Sequence, residues 1–130
     1  MSVTTIEEAI VTTLKADSEV KGITTRVYPN SMPQSPTYPL IVYQKVSGYR
    51  PHHLGGVSGV ARPRFQIEAW AATYTAAKSL AKAIREALDG TRYTSGTVTF
   101  YSLIQGEFDN YEPNTETHRI IQDYTIRHNE

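Results

Sequence analysis

The sequence predicts an α+β fold: a mostly antiparallel sheet of about five strands with two helices packed on it. Three observations carry this. Two stretches place apolar residues at helical spacing, five others are β-branched, aromatic or alternating, and the order helix, strand, strand, strand, helix, strand, strand lacks the regular βαβ alternation of a parallel sheet. At 130 residues the chain is long enough for a single domain, residues 1–130, to bury about two-thirds of its unfolded surface.

The elements follow in order. Thr4 or Thr5 followed three residues later by Glu7 or Glu8 is a capping-box pattern, and Ile6, Ala9, Ile10 and Leu14 form one stripe, so a helix is expected from about Thr5 to Ala16. The stretch Asp17 to Gly22 breaks it. Thr24 to Tyr28 is β-branched enough for a short strand ended by Pro29, and Pro29, Pro33, Pro36 and Pro39 then make an ordered or extended loop with few backbone donors. Leu40 to Val46 reads as a strand inside the sheet. Arg64 to Ala71 alternates, with Phe65, Ile67, Ala69 and Ala71 on one face, and is expected to pair with it as a hairpin. Between the two lies a long loop with glycines at 48, 55, 56 and 59. From Thr75, Ala77, Leu80, Ala81, Ile84 and Leu88 fall on one side of a second helix, with Gly90 at its C′ position. Thr97–Gln105 and Arg119–His128 are expected as an antiparallel pair joined by the acidic segment FDNYEPNTET.

Composition excludes several functions. Apolar residues at 39% and DEKR residues at 20% suit neither a disordered chain nor a membrane protein, and the absence of cysteine excludes disulfides, a thiolate nucleophile and sulfur-ligated zinc. Met1 to Ile10 lacks the basic start and apolar run of a signal peptide, which predicts a cytoplasm-like compartment. Phosphate-loop, dinucleotide-binding, HExxH and GxSxG patterns are missing. His52 and His53 are adjacent, so an extended backbone sends them to opposite sides, and the odd spacing of His118 and Asp123 does the same. No catalytic residue, cofactor or metal site is expected.

Charge is balanced at 13 basic and 13 acidic residues but unevenly distributed. From Val20 to Ile67 there is no acid, and Lys21, Arg26, Lys45, Arg50, Arg62 and Arg64 give a net of about +6; from Gln105 onward six acids against Arg119 and Arg127 give about −4. Either the two segments neutralise each other within one molecule, or the molecule has a positive and a negative side. The basic segment 20–67 with its tyrosines also allows a second function, a nucleic-acid-binding module.

The run RVYPNSMPQSPTYPLIVYQKVSG, the glycine-rich loop, RPRFQIEAWAATYTAAKSLAKAIREALDG and the closing strand pair together resemble the tail-completion proteins of long-tailed bacteriophages, also called tail-terminator or tail-to-head joining proteins. The parts that carry the resemblance are Pro33, Gln34 and Pro39 leading into Tyr43 and Gln44, the strand end Ala69, Trp70 and Ala71, and Tyr74 followed by Leu80, Ala81, Ile84 and Arg85. The resemblance implies a structural virion protein without catalysis, assembled in the host bacterial cytoplasm. It implies a ring, usually of six subunits, that caps the head-proximal end of the tail tube and joins it to the head, with the tail tube protein and the head connector protein as partners and DNA only as cargo through the ring lumen. A ring uses heterologous contacts, which opposite charges on opposite faces favour. Candidate subunit contacts are therefore Arg26, Lys45, Arg62 and Arg64 against Glu107, Asp109, Glu112 and Glu116, and the loop residues Tyr49, Arg50, His52, His53 and Leu54 are candidates for docking.

Overall fold

In the computed structural model, residues 5–47, 52–53, 56–57, 60–90 and 92–129 are described. Helix α1 spans Ile6–Ala16, with the Thr5 hydroxyl accepting from the Glu8 N–H and Glu7 and Glu8 in the first turn, where acids favour the helix dipole. The break at Asp17 is real but brief. Its carboxylate accepts from the N–H groups of Glu19 and Val20 and starts a second helix, α2 (Ser18–Ile23), where the sequence predicted only an interruption. Helix α3 is Tyr74–Leu88, with Thr73 as N-cap and Gly90, at φ 74°, immediately after the C-cap Asp89.

The main sheet has the order β1 (Val27–Pro29), β2 (Leu40–Ser47), β6 (Arg64–Ala71), β9 (Thr117–Asn129), β8 (Val98–Glu112) and β7 (Arg92–Ser95). Only β1 and β2 run parallel. The long loop carries three two-residue strands: β3 (His52–His53) pairs with β4 (Gly56–Val57), and β5 (Val60–Ala61) extends the sheet beside the end of β9. The α+β class and the antiparallel sheet stand as expected, with more elements than the sequence displayed. β7 is one addition, returning into β8 through a turn at Gly96, φ 60°. The acidic segment is the larger correction. Instead of a connecting loop it is mostly strand, because β8 continues to Glu112 and β9 begins at Thr117, leaving 113–116 as the turn, with Glu116 at φ 54°.

All three helices lie on one face of the sheet. Ile6, Ile10 and Leu14 of α1, Val20 of α2 and Leu80, Ile84 and Leu88 of α3 share a core with Ile41, Phe65, Ile67, Phe100, Ile120, Tyr124 and Ile126. Alanines at 77, 81 and 87 bring α3 close to the strands. Its last carbonyls are satisfied by the C-cap N–H, by Tyr93 Oη, which donates to Ala87, and by Ser102 Oγ, which donates to Leu88. On the opposite face Leu40, Val42 and Trp70 are covered by Tyr28, Met32 and Tyr38 from β1 and the proline-rich segment.

A β-bulge decides what β8 presents. Before it Phe100 pairs with His128 and Ile104 with Tyr124; after it Gly106 pairs with Asp123 and Glu107 with Gln122. One extra residue inverts the alternation, since side chains change face with every residue. Phe100, Ser102 and Ile104 face the helices before the bulge, and Glu107, Asp109 and Tyr111 do so after it. Phe108 is thereby sent to the helix-free face.

Candidate assembly interface

The described residues hold no group of three or more His, Asp or Glu able to bind a metal ion. Among the described residues, no helix is long and apolar enough to cross a membrane. The surface features are two of a different kind: an open sheet face and a helix-to-hairpin charge ladder.

The open face carries four large exposed apolar side chains. Val46 on β2 and Tyr101, Leu103 and Phe108 on β8 are 37–48% exposed, and their strand positions put all four on the side away from the helices. Between them stand Arg64, Gln66, Asp123, Thr125 and Arg127, with Arg64 Nη2 3.7 Å from Asp123 Oδ2. An apolar patch interleaved with paired charges is the ordinary make-up of a protein–protein interface. Sequence reasoning missed Val46, Leu103 and Phe108. Phe108 lay inside the expected loop, and the one available signal for its direction was Gly106, a glycine within a strand.

The charge ladder runs between α3 and the far half of β8. Tyr74 Oη donates to Asp109 Oδ2 (2.9 Å), Lys78 Nζ lies 3.2 Å from Asp109 Oδ1, and Arg85 Nη1 lies 3.4 Å from Glu107 Oε1. Gln122 Nε2 adds a 2.8 Å bond to the same Glu107 oxygen. The Tyr74 hydroxyl and then the Lys78 ammonium hold the Asp109 carboxyl below the usual carboxylate range, and the hydrogen bond to Asp109 raises Lys78. At the hairpin end His118 is enclosed by the rings of Tyr111 (5.0 Å) and Tyr74 (5.8 Å, edge-on), a packing role for a side chain that has no carboxylate partner in Asp123.

Six of the eight candidate subunit contacts, all but Arg62 and Glu116, are engaged with other partners inside the chain. Lys45 Nζ lies 3.6 Å from Glu7, Arg64 pairs with Asp123, and Glu112 accepts from Arg119 Nη2 at 2.9 Å. Arg26 Nε donates to the carbonyls of Thr37 (2.9 Å) and Pro39 (3.2 Å), fastening β1 to the proline-rich segment. Arg62 and Glu116 are exposed and form no ion pair among the described residues. Among the described residues, no member of the basic set forms an ion pair with a member of the acidic set within one chain. Of the loop candidates, Tyr49, Arg50 and Leu54 lie outside the described residues; His52 and His53 form β3, opposite Val57 and Gly56.

Comparisons with known proteins agree with this architecture. No curated protein sequence matches. A chain of the structure described as "Virion of native gene transfer agent (GTA) particle" superposes with a TM-score of 0.78 at 16% identity, covering 96% of this chain and 95% of that one, a likeness of fold. The model of the family described as tail completion protein gp17 matches residues 8–129. A helix-backed antiparallel sheet with an open apolar face thus belongs to a structural protein of the phage tail, and the chain is a member of the tail completion protein gp17 family.

Proposed function

We propose that the protein caps the head-proximal end of the tail tube as a ring of six subunits and joins the tail to the head. The family match over residues 8–129 carries this reading. Its partners are then the tail tube protein on one rim and the head connector protein on the other, with DNA passing through the lumen. Assembly takes place in the host cytoplasm before the particle is complete.

The geometry supports a ring subunit. The helix-free face offers Val46, Tyr101, Leu103 and Phe108 to a neighbour or to the tube. The sequence adds Tyr49, Arg50, His52, His53 and Leu54 as the candidates for docking on the tube. Across the subunit boundary, Arg62 and Glu116 are the candidates not already committed to a partner within the chain.

Native mass measurement with negative-stain imaging, with and without tail tube protein, tests this. Closed rings, and tubes that stop growing when the protein is added, are expected. A two-fold dimer as the largest species under every condition, with tubes that grow on, rejects the reading.

A further inference from the structure

The sheet has two open edges of unlike character. β7 accompanies β8 only as far as Tyr101. The next two outward groups are capped, the Ser102 carbonyl by the Gly90 N–H (2.8 Å) and the Ile104 N–H by Asp89 Oδ1 (2.9 Å). From Gly106 to Glu112 β8 has β9 on one side and, among the described residues, no strand on the other. In an antiparallel ladder alternate residues direct both backbone groups at the partner or away from it. Ser102 and Ile104 point away, and the bulge shifts the alternation by one. The N–H and C=O groups of Glu107, Asp109 and Tyr111 are therefore turned outward.

Such an edge is normally guarded by projecting charges, by proline or by being short. This one is not. It has no proline before Pro113, and the carboxylates of Glu107 and Asp109 are drawn onto α3 by Arg85, Tyr74 and Lys78. At the far end of the sheet, the Arg26 carbonyl accepts from Ile41 N–H and the Asn30 N–H donates to the Tyr43 carbonyl, both at 2.8 Å. By alternation, β1 turns the N–H and C=O of Val27 outward, whereas the Pro29 C=O already accepts from the Ser31 N–H at 2.6 Å.

From these edges we infer that β8 of one copy takes β1 of the next, so that the sheet runs on across the subunit boundary. This rests on the ring reading and names the contact within it. Val27 exchanges two bonds with one outward residue of β8, and Pro29, which has no N–H to leave unpaired, tolerates the edge position. Charge selects this pairing. β1 is flanked by Lys21 and Arg26 in a segment without acids, whereas the β8 edge ends at Glu116, which forms no ion pair among the described residues, beside Glu107, Asp109 and Glu112, each of which has a cation of its own chain. Pairing β8 with its own copy about Asp109 would set two Asp109 carboxylates opposite each other, which is unfavourable. Joining two different edges is a heterologous contact, the kind that closes into rings.

The absence of cysteine allows a direct test. A chain carrying Val27→Cys is mixed under mild oxidation with chains carrying Glu107→Cys, Asp109→Cys or Tyr111→Cys, since directly paired strand residues lie roughly within disulfide reach. A cross-link between position 27 and at least one of the three is expected, with none when each variant is oxidised alone. Amide hydrogen exchange on the unmodified protein serves as a second measurement: assembly should slow exchange at Glu107, Asp109 and Tyr111 by tenfold or more. Rings that form with no cross-link and unchanged exchange overturn the edge contact and leave the ring reading intact. Cross-linked open chains without rings support the edge contact and overturn the ring. A protein that neither assembles nor cross-links overturns both.

Discussion

The guanidinium carbon of Arg119 lies 5.0 Å from the centre of the Trp70 ring, its direct neighbour across β9 and β6. The same guanidinium is 3.5 Å from Glu68 Oε1, which also accepts from Trp70 Nε1 at 3.0 Å, and 2.9 Å from Glu112. Glu68 is buried, so Arg119 and Trp70 together satisfy a carboxylate removed from water, and Arg119 ties the outer hairpin to β6.

Replacing Arg119 by alanine leaves Glu68 with one partner, and the expected cost is about 1–3 kcal/mol, more than the 0.2–1 kcal/mol of an exposed pair. Lysine at this position restores charge but neither the planar stacking nor the two-sided fork, so it should recover only part of the loss. Trp70 is the one tryptophan in the chain, and its emission should shift to the red in Arg119→Ala. Urea unfolding followed by that emission measures both effects; an Arg119→Ala variant within about 0.5 kcal/mol of the wild type would show that Glu68 does not depend on it.

Gln122 and Tyr124 form a second buried relay on the helix side. Gln122 Nε2 donates to the Ala81 carbonyl and to Glu107, while its Oε1 accepts from Tyr124 Oη, all at 2.8 Å. Burial pushes the Tyr124 phenol far above its ordinary range, so it remains a neutral donor. Tyr124→Phe orphans the Gln122 oxygen and Gln122→Leu orphans the Tyr124 hydroxyl, each at about 1–3 kcal/mol. The double variant removes both ends and should cost clearly less than the two single losses together, a coupling that a thermodynamic cycle reads directly. Additive losses would mean that the two side chains do not act as one unit.

What the sequence displayed and what it hid follow from the range of each signal. Ile6, Ala9, Ile10 and Leu14 repeat at helical spacing, and RFQIEAWA alternates, so α1, α3 and β6 were legible from local periodicity. The parallel pairing of β1 with β2, and the docking of β7 beside β8, depend on partners distant in the chain or on short runs with weak pattern. FDNYEPNTET reads as a turn because its residues are polar. It forms strand because β9 is held by β6 from His118 to Thr125 and gives β8 a template, while α3 supplies Tyr74 and Lys78 to Asp109 and Arg85 to the adjoining Glu107. The charge asymmetry was visible, but the distribution of Lys78, Arg85 and Arg119 among those acids required the fold, because each comes from an element far away in sequence or across the hairpin turn.

The Asp109 ladder sets a pH and salt dependence whose sign is fixed. Because the folded protein lowers Asp109, its contribution is present above the unfolded carboxylate value, about 3.9, and is lost as the pH falls through the lower folded one. Lys78 is raised, so its contribution is present below the unfolded value, about 10.4, and is lost as the pH rises through the folded one. Between these limits the pair is fully charged and pH-independent. Both groups are well exposed, which keeps the effect to roughly 0.2–1 kcal/mol. Asp109→Asn should therefore lower stability by that amount at pH 7 in dilute salt. The difference from the wild type should shrink in 1 M salt, where the screening length is about 3 Å, and vanish in acid, where the wild-type carboxyl is itself protonated. Urea midpoints of the two proteins across pH and salt measure this. A gap that persisted in acid would assign the loss to the Tyr74 hydrogen bond rather than to charge.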